Sequence, residues 1–222
     1  MPETDAVLFD LDDTLCLHEQ DREVLLRRTF DHIGVEPFTN HAGLRTAINR
    51  APDADGATAF MANAFDVAAE RADAGRMPTA RIADTYMSMF DSSAVRFREG
   101  ARAALDRVED RPVGLVTNGD REHQLPKLES LGIEDAFDTI VYGGANTPSK
   151  PSPEPFEIAL DDLGADPGAT IHVGNSLSDD VAGANRVGVR SVWVPTAADR
   201  REAGSAEPTH TLDSLRNLPA LF

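Results

Sequence analysis

Ala6-Val7-Leu8-Phe9-Asp10-Leu11-Asp12-Asp13-Thr14-Leu15 is the stretch whose reading decides the fold of this chain. An apolar tetrad runs into carboxylates at i and i+2, followed by a threonine and another apolar residue. Such an apolar run predicts a parallel strand buried on both faces. In an open α/β sheet, chemistry lies just beyond the carboxyl ends of these strands. Paired carboxylates leaving the strand there sit near one centre, one suited to act as nucleophile or metal ligand and the other as acid and base. The pair alone carries little: in so Asp-rich a chain a bare Asp-x-Asp arises by accident about two or three times, and Asp53-Ala54-Asp55 is such an accident. With the tetrad and the threonine included, the chance expectation falls to about 0.01.

A chain of 222 residues holds one enlarged α/β domain, or a core with a small accessory domain. Hydrophobic residues make up 41% and the mean hydropathy is −0.31, the balance of a soluble globular protein. No run approaches the ~20 apolar residues that span a bilayer. The chain enters its first strand without the basic and apolar segments of a signal peptide, which predicts a cytoplasmic location. The single cysteine, Cys16, excludes an internal disulfide and a multi-cysteine metal site, and reads as a small packing residue. A net charge of −17 repels nucleic acid and anionic membranes, so neither is expected as a partner. Lys127 and Lys150 are the only lysines. This Asp-rich, Lys-poor composition resembles that of proteins from salt-loving archaea, whose acidic surfaces stay hydrated in concentrated salt. It also makes each retained lysine worth attention.

Strand-like runs recur at Val7–Leu11, Val113–Thr117, Thr139–Tyr142, Thr170–Val173 and Ser191–Val194, with amphipathic stretches such as Pro153–Leu163 and Asp179–Val187 between most of them. The alternation predicts a Rossmann-like α/β core, a parallel sheet with helices on both faces. Thr209–Leu218 adds a short sixth strand and a closing helix. Between the first two strands the rhythm breaks. Glu19–Ile33, Asn40–Ala51, Gly56–Ala74 and Pro78–Phe90 all read as helices separated by Gly, Pro and Asp, and Arg98–Val108 leads back as a core helix. Residues 16–93 are therefore read as an all-helical cap inserted after the first strand, and residues 1–15 with 94–222 as the core. A lid is expected there because the insertion leaves beside the carboxylates. Ala197–Glu207 is polar and reads as an exposed loop.

Three further segments carry polar groups suited to a phosphate. The second strand ends in Thr117-Asn118-Gly119, where a hydroxyl, backbone N–H groups and a glycine allowing close approach can cradle an oxyanion. Lys150, in Pro148-Ser149-Lys150-Pro151, precedes a helix and suits neutralisation of a carboxylate and a phosphoryl oxygen together. The fourth strand ends in Gly174-Asn175-Ser176-Leu177-Ser178-Asp179-Asp180, whose oxygens suit a hard cation such as Mg²⁺ beside Asp10 and Asp12.

In order and spacing these four motifs resemble the haloacid dehalogenase superfamily, in its phosphatase-like branch with a helical C1-type cap, over nearly the whole chain. The resemblance implies Mg²⁺-dependent hydrolysis of a small phosphomonoester through an aspartyl-phosphate. Asp10 is then the nucleophile and Asp12 the group that protonates the leaving oxygen and afterwards activates water. Thr117, Asn118 and Gly119 hold the phosphoryl oxygens, and Lys150 balances the charge of Asp10 and phosphate. The implied metal ligands are Asp10, the Asp12 carbonyl, Asn175 and Asp180. Asn175 departs from the pattern, since this motif usually begins Gly-Asp. Either metal affinity is reduced, or Asp180, helped by Asp179, takes the main ligand role.

The partner expected is a small phosphorylated metabolite, acted on by a monomer or homodimer. A sugar phosphomutase of the β-phosphoglucomutase type shares the motifs. A 2-haloacid dehalogenase shares the fold but needs no leaving-group acid, so Asp12 disfavours it. A receiver-like phospho-acceptor switch also uses a strand-end Asp, a Thr and a Lys, in about half this length without a lid. His18, Arg22, His41, Arg45 and Arg76 read as exposed cap residues, and the histidines show no metal-ligand spacing.

Overall fold

All four residues of the first strand, β1 (Ala6–Phe9), are inaccessible to solvent. They lie in the middle of a parallel sheet and face helices on both sides. The computed structural model describes residues 4–52, 54, 56–144, 147–201 and 206–221. Asp53 and Asp55, the ends of the accidental Asp-x-Asp, lie outside the described residues, as do residues 202–205 of the predicted loop. The chain divides into two units, Met1–His18 with Val95–Phe222, and Glu19–Ala94.

In the first unit, β1 is followed by β2 (Cys16–His18), β3 (Val95–Phe97), β4 (Val113–Asn118), β5 (Thr139–Gly143), β6 (Thr170–Gly174), β7 (Arg190–Trp193) and β8 (His210–Thr211). The main sheet has the order β5-β4-β1-β6-β7-β8 with every pair parallel. β1 thus lies between β4 and β6, where chain connections diverge and a crevice opens beyond the strand ends. Alternation along β1 divides the core. Val7 and Phe9 pack in the cluster that holds Ala104 and Leu105 of α5 (Ala101–Arg107) and Leu128 of α6 (Arg121–Leu131). Leu8 packs with Phe156 and Leu160 of α7 (Glu154–Leu163) and Ala184 of α8 (Ala182–Arg186). Burial of both faces is why these strands read as continuous apolar runs rather than alternating ones. Cys16 is wholly buried in the same core, the packing role its size suggests.

Two features differ from the sequence reading. Cys16–His18 pair antiparallel with Val95–Phe97, in an interval read as strandless. Strands of three residues are too short for alternation to reveal. The predicted helix over Asp179–Val187 instead begins as a π turn, Leu177–Val181, before α8. Both Asp180 and Val181 donate backbone N–H groups to the Ser176 carbonyl, and Ser176 caps the turn through its hydroxyl. Such turns favour functional sites because they re-aim a side chain.

The second unit comprises α1 (Arg22–Ile33), α2 (His41–Ile48), α3 (Ala57–Arg71) and α4 (Thr79–Met89). Asp21 caps α1 by accepting from Glu23 and Val24 N–H, and Gly34 ends it in the left-handed conformation. Asn40 caps α2. Leu26, Phe30, Leu44, Phe65, Ile82 and Tyr86 form its own core, with Phe65 edge-on to both Phe30 and Tyr86 at 6.3 and 5.8 Å. Arg22, read as an exposed cap residue, lies over the Phe90 ring at 4.2 Å. No helix among the described residues is long and apolar enough to cross a membrane.

Candidate active site

β1 ends at Phe9, and the chain turns sharply. The Leu11 carbonyl accepts from the N–H groups of Thr14, Leu15 and Cys16, while Asp13 takes a left-handed φ of 59°. Aspartate tolerates that conformation better than most residues. The turn leaves Asp10 and Asp12 at the strand's carboxyl end, each against a different lysine.

Asp10 is buried, and its Oδ1 lies 2.7 Å from Lys150 Nζ. The same ammonium donates to Asp180 Oδ1 and to the Val116 carbonyl, both at 2.7 Å. All three donors of Lys150 are therefore engaged. The Asn118 amide places the lysine by bonding its backbone twice, accepting from Lys150 N–H at 2.7 Å and donating to Lys150 O at 3.1 Å. Asp180 is held by His172 Nε2 at 3.0 Å and by Ser176 N–H at 2.9 Å. Gly174 makes this possible: a Cβ there would stand 2.2 Å from Asp180 Cγ. Burial pushes the Asp10 carboxyl up to about 7, because Lys150 is shared and Asp180 repels a second charge. Burial acts on Asp180 in the same sense, yet Lys150 and His172 hold it well below the usual carboxylate range. Lys150 itself is kept charged by the two carboxylates despite its burial.

Asp12 sits in a different field. Lys127 Nζ touches both of its oxygens at 2.7 Å, His18 Nε2 approaches Oδ1 at 3.0 Å, and Gln124 Nε2 donates to Oδ2 at 3.0 Å. Against the upward push of burial, Lys127 and His18 hold its carboxyl well below the usual range. The resting Asp12 is thus ionised, the form that accepts a proton.

The other predicted groups are brought to the same strand ends with altered tasks. Thr117 is buried and its hydroxyl accepts from Gln124 at 3.0 Å. Asn118, expected with its neighbours to offer backbone N–H groups to phosphate, bonds the Lys150 backbone through its side chain. The Gly119 N–H donates to the Gly143 carbonyl, so it is not a free phosphate donor; its φ of 115° still requires glycine. Asn175 accepts from the Thr14 hydroxyl at 3.2 Å and donates to Asp199 at 3.0 Å. Asp199 Oδ2, which also accepts from the Thr196 N–H, sets the amide with its nitrogen toward Asp199 and its oxygen toward Thr14.

Among the described residues no group of three or more His, Cys, Asp or Glu side chains is placed to hold a metal ion. Asp180, one of the two alternatives for the main ligand role, has its oxygens engaged by Lys150, His172 and the Ser176 N–H. The remaining donors nevertheless suit a hard cation. Asp10 shares its lysine with Asp180, which leaves uncompensated negative charge at Asp10, and Asn175 adds a neutral oxygen that accepts from the Thr14 hydroxyl.

His18, Gln124, Lys127, His172 and Asp199 were not placed in the site by sequence. Lysine scarcity and the i, i+3 spacing of Gln124 and Lys127 on one helix face were the available signals. His18, read as an exposed cap residue, is turned onto Asp12 because β2 carries it back past the turn. Nothing local marks Asp199.

A strand-end carboxylate and lysine beside a second carboxylate two residues on, in this sheet order, point to one family. The haloacid dehalogenase-like hydrolase family matches residues 4–188, and the chain belongs to it. The rat N-acylneuraminate-9-phosphatase is 36% identical over 109 residues, covering 49% of this chain and 44% of that protein. The chain therefore matches less than half the length of that relative. The ribulose-1,5-bisphosphate 5-phosphatase of Halopiger xanaduensis is 28% identical over 97% of this chain and 98% of its own. Among solved structures, the magnesium-bound hydrolase YfnB of Bacillus subtilis superposes with a TM-score of 0.74 at 21% identity, covering 99% of this chain and 98% of that one. A phosphatase of Thermococcus onnurineus gives 0.68 at 22%, covering 98% and 97%. These likenesses support the fold.

Proposed function

We propose that this protein is a phosphatase that hydrolyses a small phosphomonoester, with Asp10 as nucleophile. The observation that carries the reading is the Asp10–Lys150 contact of 2.7 Å at the end of β1, with a second carboxylate two residues on. Attack by an Asp10 oxygen forms the aspartyl phosphate and breaks the P–O bond to the alcohol, whose oxygen takes from Asp12 the proton that Asp12 has first accepted from the phosphate monoanion. Water then attacks phosphorus, gives its proton to Asp12 and releases phosphate from Asp10. The ionised resting state of Asp12 suits this second half. Lys150 offsets charge on Asp10 and on the phosphoryl oxygens, and Thr117 offers its hydroxyl to them. Mg²⁺ would be held by Asp10, the Asp12 carbonyl and Asn175, and would offset repulsion between the carboxylate and an anionic ester. The helical unit, inserted between β2 and β3 and so just after Asp12, is the cap that selects the substrate.

Relatives support a small phosphorylated substrate, since their names give an N-acylneuraminate and a ribulose bisphosphate. Phosphate release, screened over sugar phosphates, nucleotides and phosphoglycolate in Mg²⁺ and high KCl, tests the reading. Turnover of at least one ester is expected, and its absence across the screen refutes the proposal.

A further inference from the structure

Lys127 and Gln124 lie three residues apart on α6, and both reach back to the carboxylate of Asp12. Lys127 is 4% exposed, so its ammonium has left water almost entirely. It touches both Asp12 oxygens at equal distance, which fixes the plane of the carboxylate as well as its position. Gln124 turns its NH₂ group toward Asp12 Oδ2, Thr117 Oγ1 and the Asn118 carbonyl together. One amide thereby ties the exit of β1 to the end of β4. Gly119 leaves room for it, because a Cβ there would meet Gln124 Nε2 at 3.0 Å. His18 fixes Oδ1 from the other side at 3.0 Å.

Stability alone does not call for this arrangement. Burying an ammonium costs several kcal/mol before pairing, and well-packed apolar residues often serve as well or better. Asp12 moreover keeps about a third of its side chain open to solvent, so without the clamp it would be free to turn into water. Proton transfer requires the donor to stand within hydrogen-bond reach of the leaving oxygen.

We propose that Lys127 and Gln124 are positioning residues that hold the Asp12 carboxylate in register with Thr117 for proton transfer. What Asp12 does rests on the phosphatase reading above; that it is clamped does not. The test compares Lys127→Met, Lys127→Arg and Gln124→Leu on 2,4-dinitrophenyl phosphate, whose leaving group needs no proton, and on glycerol phosphate, whose alkoxide does. Alcohol release is followed in a single turnover with Mg²⁺ present, so that the second step, common to both esters, does not enter. Lys127→Met is expected to lose about 100-fold on the alkyl ester and under about tenfold on the aryl ester, the scale of a misplaced catalytic group. Lys127→Arg is expected to recover part of the alkyl rate. Equal losses on the two esters, or no loss, overturn the proposal. Urea midpoints of Lys127→Met, Asp12→Asn and the double variant give an independent arm, where non-additive shifts are expected and additive ones overturn the clamp. Where the unsubstituted protein turns over neither ester, the alkyl arm is run on an ester found in the screen; absence of turnover across that screen sinks the phosphatase reading and the catalytic role of the clamp, while the urea cycle still decides whether the clamp exists.

Discussion

Lys150 lies between two buried carboxylates, Asp10 and Asp180, whereas Lys127 faces the single carboxylate of Asp12 with His18 and Gln124 beside it. Asp10 and Asp12 stand at the end of the same strand, yet the two clusters move them in opposite directions, and in the first cluster Asp180, backed by His172, is held low while Asp10 is not. Asp10 is pushed up to about 7, while Asp12 is held well below the usual carboxylate range. Burial raises both, so burial does not distinguish them. The count of charges does: one cation for two carboxylates leaves Asp10 short of compensation, and Asp12 has a lysine to itself. The first arrangement leaves room for a further positive charge, and the second keeps a proton acceptor ready.

The largest expected effect comes from removing the nucleophile. Asp10→Asn should lower phosphate release by at least about a thousandfold, since an amide is a poor nucleophile. Trapping of ³²P on the chain in acid should vanish with it, and release within threefold of the parent would break the assignment.

Charge imbalance makes the Lys150 cluster the more fragile. Lys150→Met leaves Asp10 and Asp180 facing each other without a cation, and should cost about 3–5 kcal/mol in urea denaturation. Adding Asp180→Asn should return part of that loss. Lys127→Met should cost less, because Asp12 keeps contact with water.

The raised carboxyl of Asp10 gives a pH signature. Between the ordinary value of 3.8 and about 7, the folded protein binds a proton that the unfolded chain has released. Stability from this group is thus present at low pH and lost as pH rises through about 7. In EDTA, Asp10→Asn should therefore gain stability relative to the parent between pH 5 and pH 8. A constant difference would show that Asp10 is compensated after all.

A smaller effect is expected where charge is already placed. Asn175→Asp sets a carboxylate 3.0 Å from the buried Asp199 and should destabilise the fold by about 1–3 kcal/mol. Asp199→Asn in the same chain should restore the hydrogen bond with its polarity reversed and recover most of the loss. Additive losses in the double variant would show that the pair does not form. Smallest per residue is the effect of salt. Molar KCl should raise the Tm by screening the exposed acidic surface, while the Asp180–Lys150 coupling energy stays unchanged because a buried pair is poorly screened.

Much of this was legible from local sequence. The run Ala6–Phe9 declared a doubly buried strand, and the carboxylates after it marked the candidate site, because strand burial and strand-end position depend on adjacent residues alone. Lys150 was legible for a similar reason, as a rare lysine beside prolines at a helix start. Short-range order also determined the helical character of Glu19–Ala94, whose caps at Asp21 and Asn40 stand next to the helices they begin. What only the tertiary structure decided is how charges pair across distant segments. Lys127 meets Asp12 from 115 residues away, and Asn175 meets Thr14 across 161. Asp180 was read as a metal ligand for its oxygens, and Thr117-Asn118-Gly119 as a phosphate cradle for its hydroxyl and backbone N–H groups. Folding set Lys150 and His172 against Asp180, and the Asn118 side chain against the backbone of Lys150. A side chain's chemistry is written in its own identity, but its partner and its proton depend on which charges the fold brings within about 4 Å and how much water it removes.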